Sequence, residues 1–202
     1  MQYKQYQIGF LKTSNVELFD LLKGWIGISI AFGLALSGTS VKFFESFVVA
    51  LVAVGTGFLF HEMAHKVVAQ HYKHFAEFRS FDQMIILAIL MGFFGFVFAA
   101  PGAVMIQARY YNKKQDGLIS LAGPAMNIVL AVIFLFLDLF VNSGLGQVIV
   151  SYGFMINSWL ALFNMIPFWL FDGKKIFNWN KAIWGISLVV CIFFVFVLRA
   201  IL

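Results

Sequence analysis

The run SFVVALVAVGTGFLFHEMAHKVVAQ, Ser46 to Gln70, decides the reading of this chain. Its uncharged part stops at Phe60, short of the about 20 apolar residues that a membrane-crossing helix needs. The run reaches that length only by continuing through His61, Glu62 and His65, which puts ionisable and metal-capable side chains inside a membrane helix. Such groups are costly in lipid and mark functional sites by default. Taking Val48 as the outer edge, His61 lies about 20 Å deeper along the helix, roughly 10 Å below the inner surface of an apolar layer about 30 Å thick.

Within the run, His61-Glu62-Met63-Ala64-His65 has the form H-E-x-x-H. Residues four apart on a helix differ by about 40° around the axis and about 6 Å along it. Both imidazoles can therefore reach one ion, with Glu62 standing near its open side. The competing reading is a chance match at a solvated helix end. Two histidines alone do not close a zinc site, so a further ligand must come from elsewhere.

The surrounding composition agrees with a membrane setting. The 202 residues are 62% apolar and 11% charged, against roughly 45–50% and about 25% in an average soluble domain. The mean hydropathy is +0.91. This excludes a cytosolic globule and a disordered chain. A single cysteine, Cys191, excludes an internal disulfide. The net charge of +5 comes from Lys and Arg placed between apolar runs, as in membrane-protein loops, so it indicates topology and no nucleic-acid partner. The charged residues before Gly24 give no short cleavable signal peptide, and the chain is expected to be mature as written.

Uncharged stretches run over 24–41, 46–60, 83–108, 117–137, 139–171 and 182–198. The stretch 84–100 is interrupted by Gly92 and Gly95 and ends at Pro101-Gly102. If it spans, the fourteen Lys and Arg divide evenly between the two sides; if it enters and leaves on one side, twelve share the side of the N-terminus and only Lys42 and Arg199 lie opposite. The positive-inside rule favours the second arrangement. The expectation is a mainly α, polytopic helical bundle forming one integral-membrane domain over 1–202. It has five full spans, an internal N-terminus and a re-entrant or β segment at about 83–108. No internal repeat is visible.

Asp138 ends a helix that begins inside, which carries it to the outer face away from His61. Asp172 follows a helix interrupted by Asn164-Met165-Ile166-Pro167 near the depth of the histidines. Proline removes a backbone donor and clashes with the preceding turn, so a bend there can hold Asp172-Gly173 beside the ion. An ordinary loop aspartate is the alternative.

Three blocks now stand in order: His61 to His65, Gly123-Pro124-Ala125-Met126-Asn127, and Asn164-Met165-Ile166-Pro167-Phe168-Trp169-Leu170-Phe171-Asp172-Gly173. Together they resemble the site-2 proteases, intramembrane zinc metalloproteases, over a three-helix catalytic core at about 46–175. The resemblance implies one catalytic Zn²⁺ held by His61, His65 and Asp172, with Glu62 as catalytic acid and base. It also implies that Asn164 helps to polarise the scissile carbonyl or steady its oxyanion. Asn127 resembles a buried polar position near the site, serving either substrate contact or a helix-to-helix hydrogen bond. The segment Phe98 to Ile106 resembles a membrane-embedded β layer that a substrate strand could extend. No PDZ, CBS or cysteine-rich lumenal module is present, as in the short archaeal or bacterial type. The implied substrate is a transmembrane protein in a cell membrane, cut toward the cytoplasmic side.

A rival reading makes His61, Glu62, His65 and Asp172 an intramembrane relay of a transporter or ion-binding protein. A catalytically silent membrane-binding relative is a third reading, disfavoured by the intact H-E-x-x-H. His71 and His74 read as solvated interfacial histidines. Lys113-Lys114 and Lys174-Lys175 read as anchors to anionic membrane lipid. Cys191 reads as a small apolar packing residue.

Overall fold

The computed structural model describes residues 3–38, 42–108, 110 and 112–198. A short antiparallel hairpin comes first, β1 (Gln5–Ile8) with β2 (Leu11–Ser14), paired from Gln5↔Ser14 to Ile8↔Leu11. Ser14 then caps α1 (Asn15–Ser37), its hydroxyl accepting from the Glu17 amide at 3.1 Å. The decisive run forms α2 (Phe43–Ala50), a π turn (Leu51–Gly55) and α3 (Thr56–His71) without a break. After it come β3 (Phe75–Ser80), α4 (Asp82–Gly92), β4 (Gly102–Gln107), α5 (Lys113–Asp138) and α6 (Gly144–Asn164). The chain closes with α7 (Asp172–Trp179), α8 (Lys181–Ile192) and a second π segment (Phe193–Leu198).

Among the described residues, four helical stretches are long and apolar enough to cross a membrane: Asn15–Ser37, Phe43–His71, Lys113–Asp138 and Gly144–Asn164. The fifth span expected from sequence falls on the apolar helix Lys181–Phe196, which is shorter than those four within the described residues.

The stretch 83–108 returns to its starting point. Antiparallel β3 and β4 pair from Phe75↔Gln107 to Ser80↔Gly102, and the Phe81 amide donates to Pro101 O at 2.8 Å across the neck of the excursion. Within it α4 has 11 residues, about 16 Å of helix, well under the roughly 30 Å of a bilayer core. The β layer is narrower than the sequence suggested. Residues 98–100 are irregular and the strand begins at Gly102.

Small residues let the helices approach closely, as membrane packing favours. Ala131 meets Phe134, Val150 and Phe154 between α5 and α6, while Ile28, Ala50 and Val54 join α1 to the π turn region. Ala161, Met165, Ile176 and Cys191 form the cluster beneath α7, confirming Cys191 as a packing residue. The aligned faces leave many large apolar side chains exposed, among them Phe136, Leu139, Ile186 and Val189.

Candidate metal centre

His61 and His65 sit one turn apart on the buried face of α3. Asp172 arrives from another direction. Helix α6 ends at Asn164, and the chain turns through 165–171 before α7 begins at Asp172. Trp184 on α8 fixes the turn by donating its indole N–H to Met165 O at 2.8 Å. The proline break thus does what the sequence indicated, returning a carboxylate to the depth of the histidines.

The three side chains converge. His61 Nε2 and His65 Nε2 are 3.0 Å apart, and Asp172 Oδ2 lies 3.3 Å from the first and 3.2 Å from the second. Ligands at about 2.0–2.1 Å from a tetrahedral zinc ion would lie about 3.3 Å from one another. The spacing therefore suits one small divalent ion. The second face of each imidazole supports the same assignment. His61 Nδ1 is 2.5 Å from Asn127 Oδ1, and His65 Nδ1 is 2.7 Å from the Ile119 carbonyl. Both partners are acceptors, so each Nδ1 carries the proton and each Nε2 presents a lone pair. Two lone pairs facing a carboxylate repel one another unless a cation lies among them. Among the described residues this is the one cluster of at least three His, Cys, Asp or Glu side chains arranged to hold a metal.

Gly123 on α5 makes room for the rings. A Cβ there would lie 2.6 Å from His61 Cε1, closer than real contacts allow, so any larger residue displaces the histidines. Pro124, inside the same helix, lacks the N–H that would bond the Ser120 carbonyl, and α5 is freed from regular hydrogen bonding beside the centre.

Glu62 follows His61 on α3. Its Oε2 accepts a hydrogen bond from the Val104 amide of β4 at 2.8 Å. Val104 pairs with Phe78, and its N–H points away from β3. By strand alternation the N–H of Ile106 faces the same way, so the free edge of β4 borders the metal cluster.

Asn127 is fully buried and touches His61, which makes it a supporting residue of the His-His-Asp cluster. Asn164 ends α6, and its Nδ2 donates to Leu160 O at 2.9 Å, back along its own helix. His74 is a correction: it is buried, with Nε2 at 3.0 Å from Gln115 Oε1, whereas His71 is exposed as expected. Two groups escaped the sequence reading. Asn157 on α6 is fully buried and accepts from Asn127 Nδ2 at 2.9 Å. Glu17 on α1 pairs with Lys66, the residue after His65. Asn157 lies in the uncharged run 139–171, where an intramembrane polar residue was the available signal, whereas Glu17 lies in the charged segment before Gly24 and gave none.

Over 181 residues the chain is 39% identical to a protein of Methanocaldococcus jannaschii named "Putative zinc metalloprotease", covering 89% of this chain and 92% of that protein. No family model matches the chain. No solved structure gives a significant match.

Proposed function

The chain belongs to the family of that archaeal zinc metalloprotease, and from this premise we propose that it is an intramembrane zinc endopeptidase of the site-2 protease type. The observation that carries the proposal is the meeting of His61, His65 and Asp172 from separate elements, inside a bundle of membrane-length helices and beside a free strand edge. The substrate is a transmembrane segment of another protein, cut on the cytoplasmic side of the bilayer.

His61, His65 and Asp172 would hold the ion. When bound, zinc supplies Lewis acidity that polarises a carbonyl and lowers the pKa of water toward about 7. The chain's own groups do the rest. Glu62 takes the proton of the attacking water and passes it to the amine that leaves. The Val104 amide holds the Glu62 carboxylate toward the cluster until substrate arrives. The outward N–H and C=O groups of β4 offer a ladder to an extended peptide, whose carbonyls must already be freed from helical bonding. Helix-breaking residues near the cut therefore assist cleavage. Irregular backbone at 165–171 and the break at Pro124 lie where a water-accessible cavity must be.

A proton or ion relay built from the same groups is less well supported. The polar path beyond His61 leads to Asn127 and Asn157, amides that do not titrate.

The test is cleavage by the purified full chain of a transmembrane peptide carrying Gly or Pro near its centre. Cleavage that stops with a zinc chelator and returns with zinc supports the proposal. Chelator-insensitive cleavage, or zinc-loaded protein inert toward every such peptide, counts against it.

A further inference from the structure

The π turn and the asparagine on α6 together account for how His61 is held. In the π turn the backbone is wider than in an α-helix, and such turns recur at functional sites. Three of its carbonyl regions are taken up by side chains. Trp25 Nε1 donates to Leu51 O at 3.0 Å, Thr56 Oγ1 donates to Val52 O, and Asn157 Nδ2 reaches Ala53 O at 3.3 Å. Asn157 Nδ2 also donates to Gly153 O at 2.9 Å, so both of its amide hydrogens are committed.

With its nitrogen so used, Asn157 can offer only its oxygen to Asn127. Asn127 Nδ2 donates to that oxygen at 2.9 Å and to Gly57 O at 3.1 Å, which uses both hydrogens of the second amide. Asn127 is left with an oxygen alone for His61. Each donor thus points the same way, from the imidazole through two amides to a peptide carbonyl of the π turn. Such a chain polarises along its length and resists the flip of any one member. A Cβ on Gly57 would come within 2.6 Å of Asn157 Oδ1, so the backbone leaves space for this amide where no side chain fits.

The geometry points to Asn157 as the positioning residue that sets the tautomer of His61: anchored on the π turn, it orients Asn127 so that His61 Nδ1 carries the proton and Nε2 faces the metal. The inference rests on the metal-centre reading above. Outer-shell partners of histidine ligands commonly govern metal affinity by about 10–100-fold, and Asn157 acts one residue further out through a fixed amide.

The measurement is the zinc dissociation constant of the purified full chain, by chelator competition, together with the visible spectrum of the cobalt-substituted protein. Asn157→Leu is expected to weaken zinc binding about 10–100-fold and to shift the cobalt bands. Asn157→Asp loses both amide hydrogens and sets a carboxylate oxygen against the Ala53 and Gly153 carbonyls, so it is expected to weaken zinc binding as Asn157→Leu does, and wild-type affinity in it also overturns the proposal. Ser158→Ala is the control for packing, because Ser158 is buried beside Asn157 but donates only to Phe154 O at 2.7 Å. Wild-type affinity and an unchanged cobalt spectrum in Asn157→Leu overturn the proposal, as does an equal loss in Ser158→Ala. If Asn157→Leu does not fold, Gly57→Ala presses on the same amide, and unaltered affinity in that variant also overturns it. Failure of wild type itself to bind zinc would instead remove the metal centre on which the inference stands.

Discussion

One rung of the β3–β4 sheet, the pair Phe78↔Val104, is held at both ends by glutamates, and the two ends are built differently. At the β3 edge, Glu17 Oε1 accepts from the Phe78 amide at 2.9 Å. Its Oε2 accepts from Thr13 Oγ1 at 2.7 Å and pairs with Lys66 Nζ, and the side chain is wholly buried. At the β4 edge, Glu62 accepts from the Val104 amide, is half-buried, and forms no ion pair among the described residues. A carboxylate with both oxygens engaged and a counter-ion at hand serves as a clamp. A carboxylate with an oxygen to spare can receive a proton. The same residue type is therefore structural at one edge of the sheet and, in the proposed function, reactive at the other, and the partners decide which.

Replacing the reactive end has the largest expected effect. Glu62→Gln keeps the size and a hydrogen-bond acceptor but cannot carry the proton, so peptide cleavage should fall by about 10²–10⁴-fold with zinc content unchanged. Cleavage at the wild-type rate would take Glu62 out of the chemistry. At the clamp, Glu17→Gln leaves the buried Lys66 ammonium without its partner, and breaking such a pair costs about 3–5 kcal/mol. Thermal unfolding in detergent reads that loss, and the double variant Glu17→Gln/Lys66→Met should recover most of it. A fully stable Glu17→Gln protein would erase the distinction between the two ends.

Val104→Pro sharpens the comparison by removing only the N–H that Glu62 uses. That N–H faces away from β3, so the substitution spares the ladder, as proline does at strand edges. Activity should drop about tenfold, and melting should fall by less than in Glu17→Gln, since one hydrogen bond to a charged group is worth about 1.5–3 kcal/mol against about 3–5 kcal/mol for the broken buried pair. An unaltered rate would mean that the strand does not hold the glutamate for reaction. The smallest effect lies at the outermost contact on the clamp side, where Tyr3 Oη donates to Glu77 Oε1 at 2.9 Å. That hydrogen bond raises the Tyr3 pKa above its ordinary value. Its contribution to stability is therefore present below about pH 10 and is lost as pH rises through the raised value. Tyr3→Phe should melt slightly lower than wild type at neutral pH, with the difference vanishing in strong alkali.

Much of the site was legible because its signals are local. The four-residue spacing of His61 and His65 fixes their shared face on a helix, and Pro167 marks the place where a spanning helix must stop short. Charge counting identified 83–108 as an excursion that returns, and the pairing of Phe75 with Gln107 agrees. What stayed hidden depends on partners far apart in sequence. Nothing near Lys66 announces that its counter-ion is Glu17, and the H-E-x-x-H pattern draws the eye away from it. The N-terminal hairpin gives only four residues per strand to read, and the short alternation Gln5-Tyr6-Gln7-Ile8 faces no core, because β1 is exposed along its whole length. Asn157 is one amide in an apolar run, and only the coordinates reveal that it meets Asn127. His74 looked solvated among Tyr72 and Lys73, yet Gln115 from α5 covers it.

The account rests on a single ion shared by two imidazoles and a carboxylate, and metal stoichiometry of the purified chain tests it most directly. Wild type should carry one zinc per chain by elemental analysis, and Asp172→Ala should lose most of it after dialysis against a weak chelator. A wild-type protein that retains no zinc, or an Asp172→Ala protein that retains a full equivalent, would contradict the centre described above.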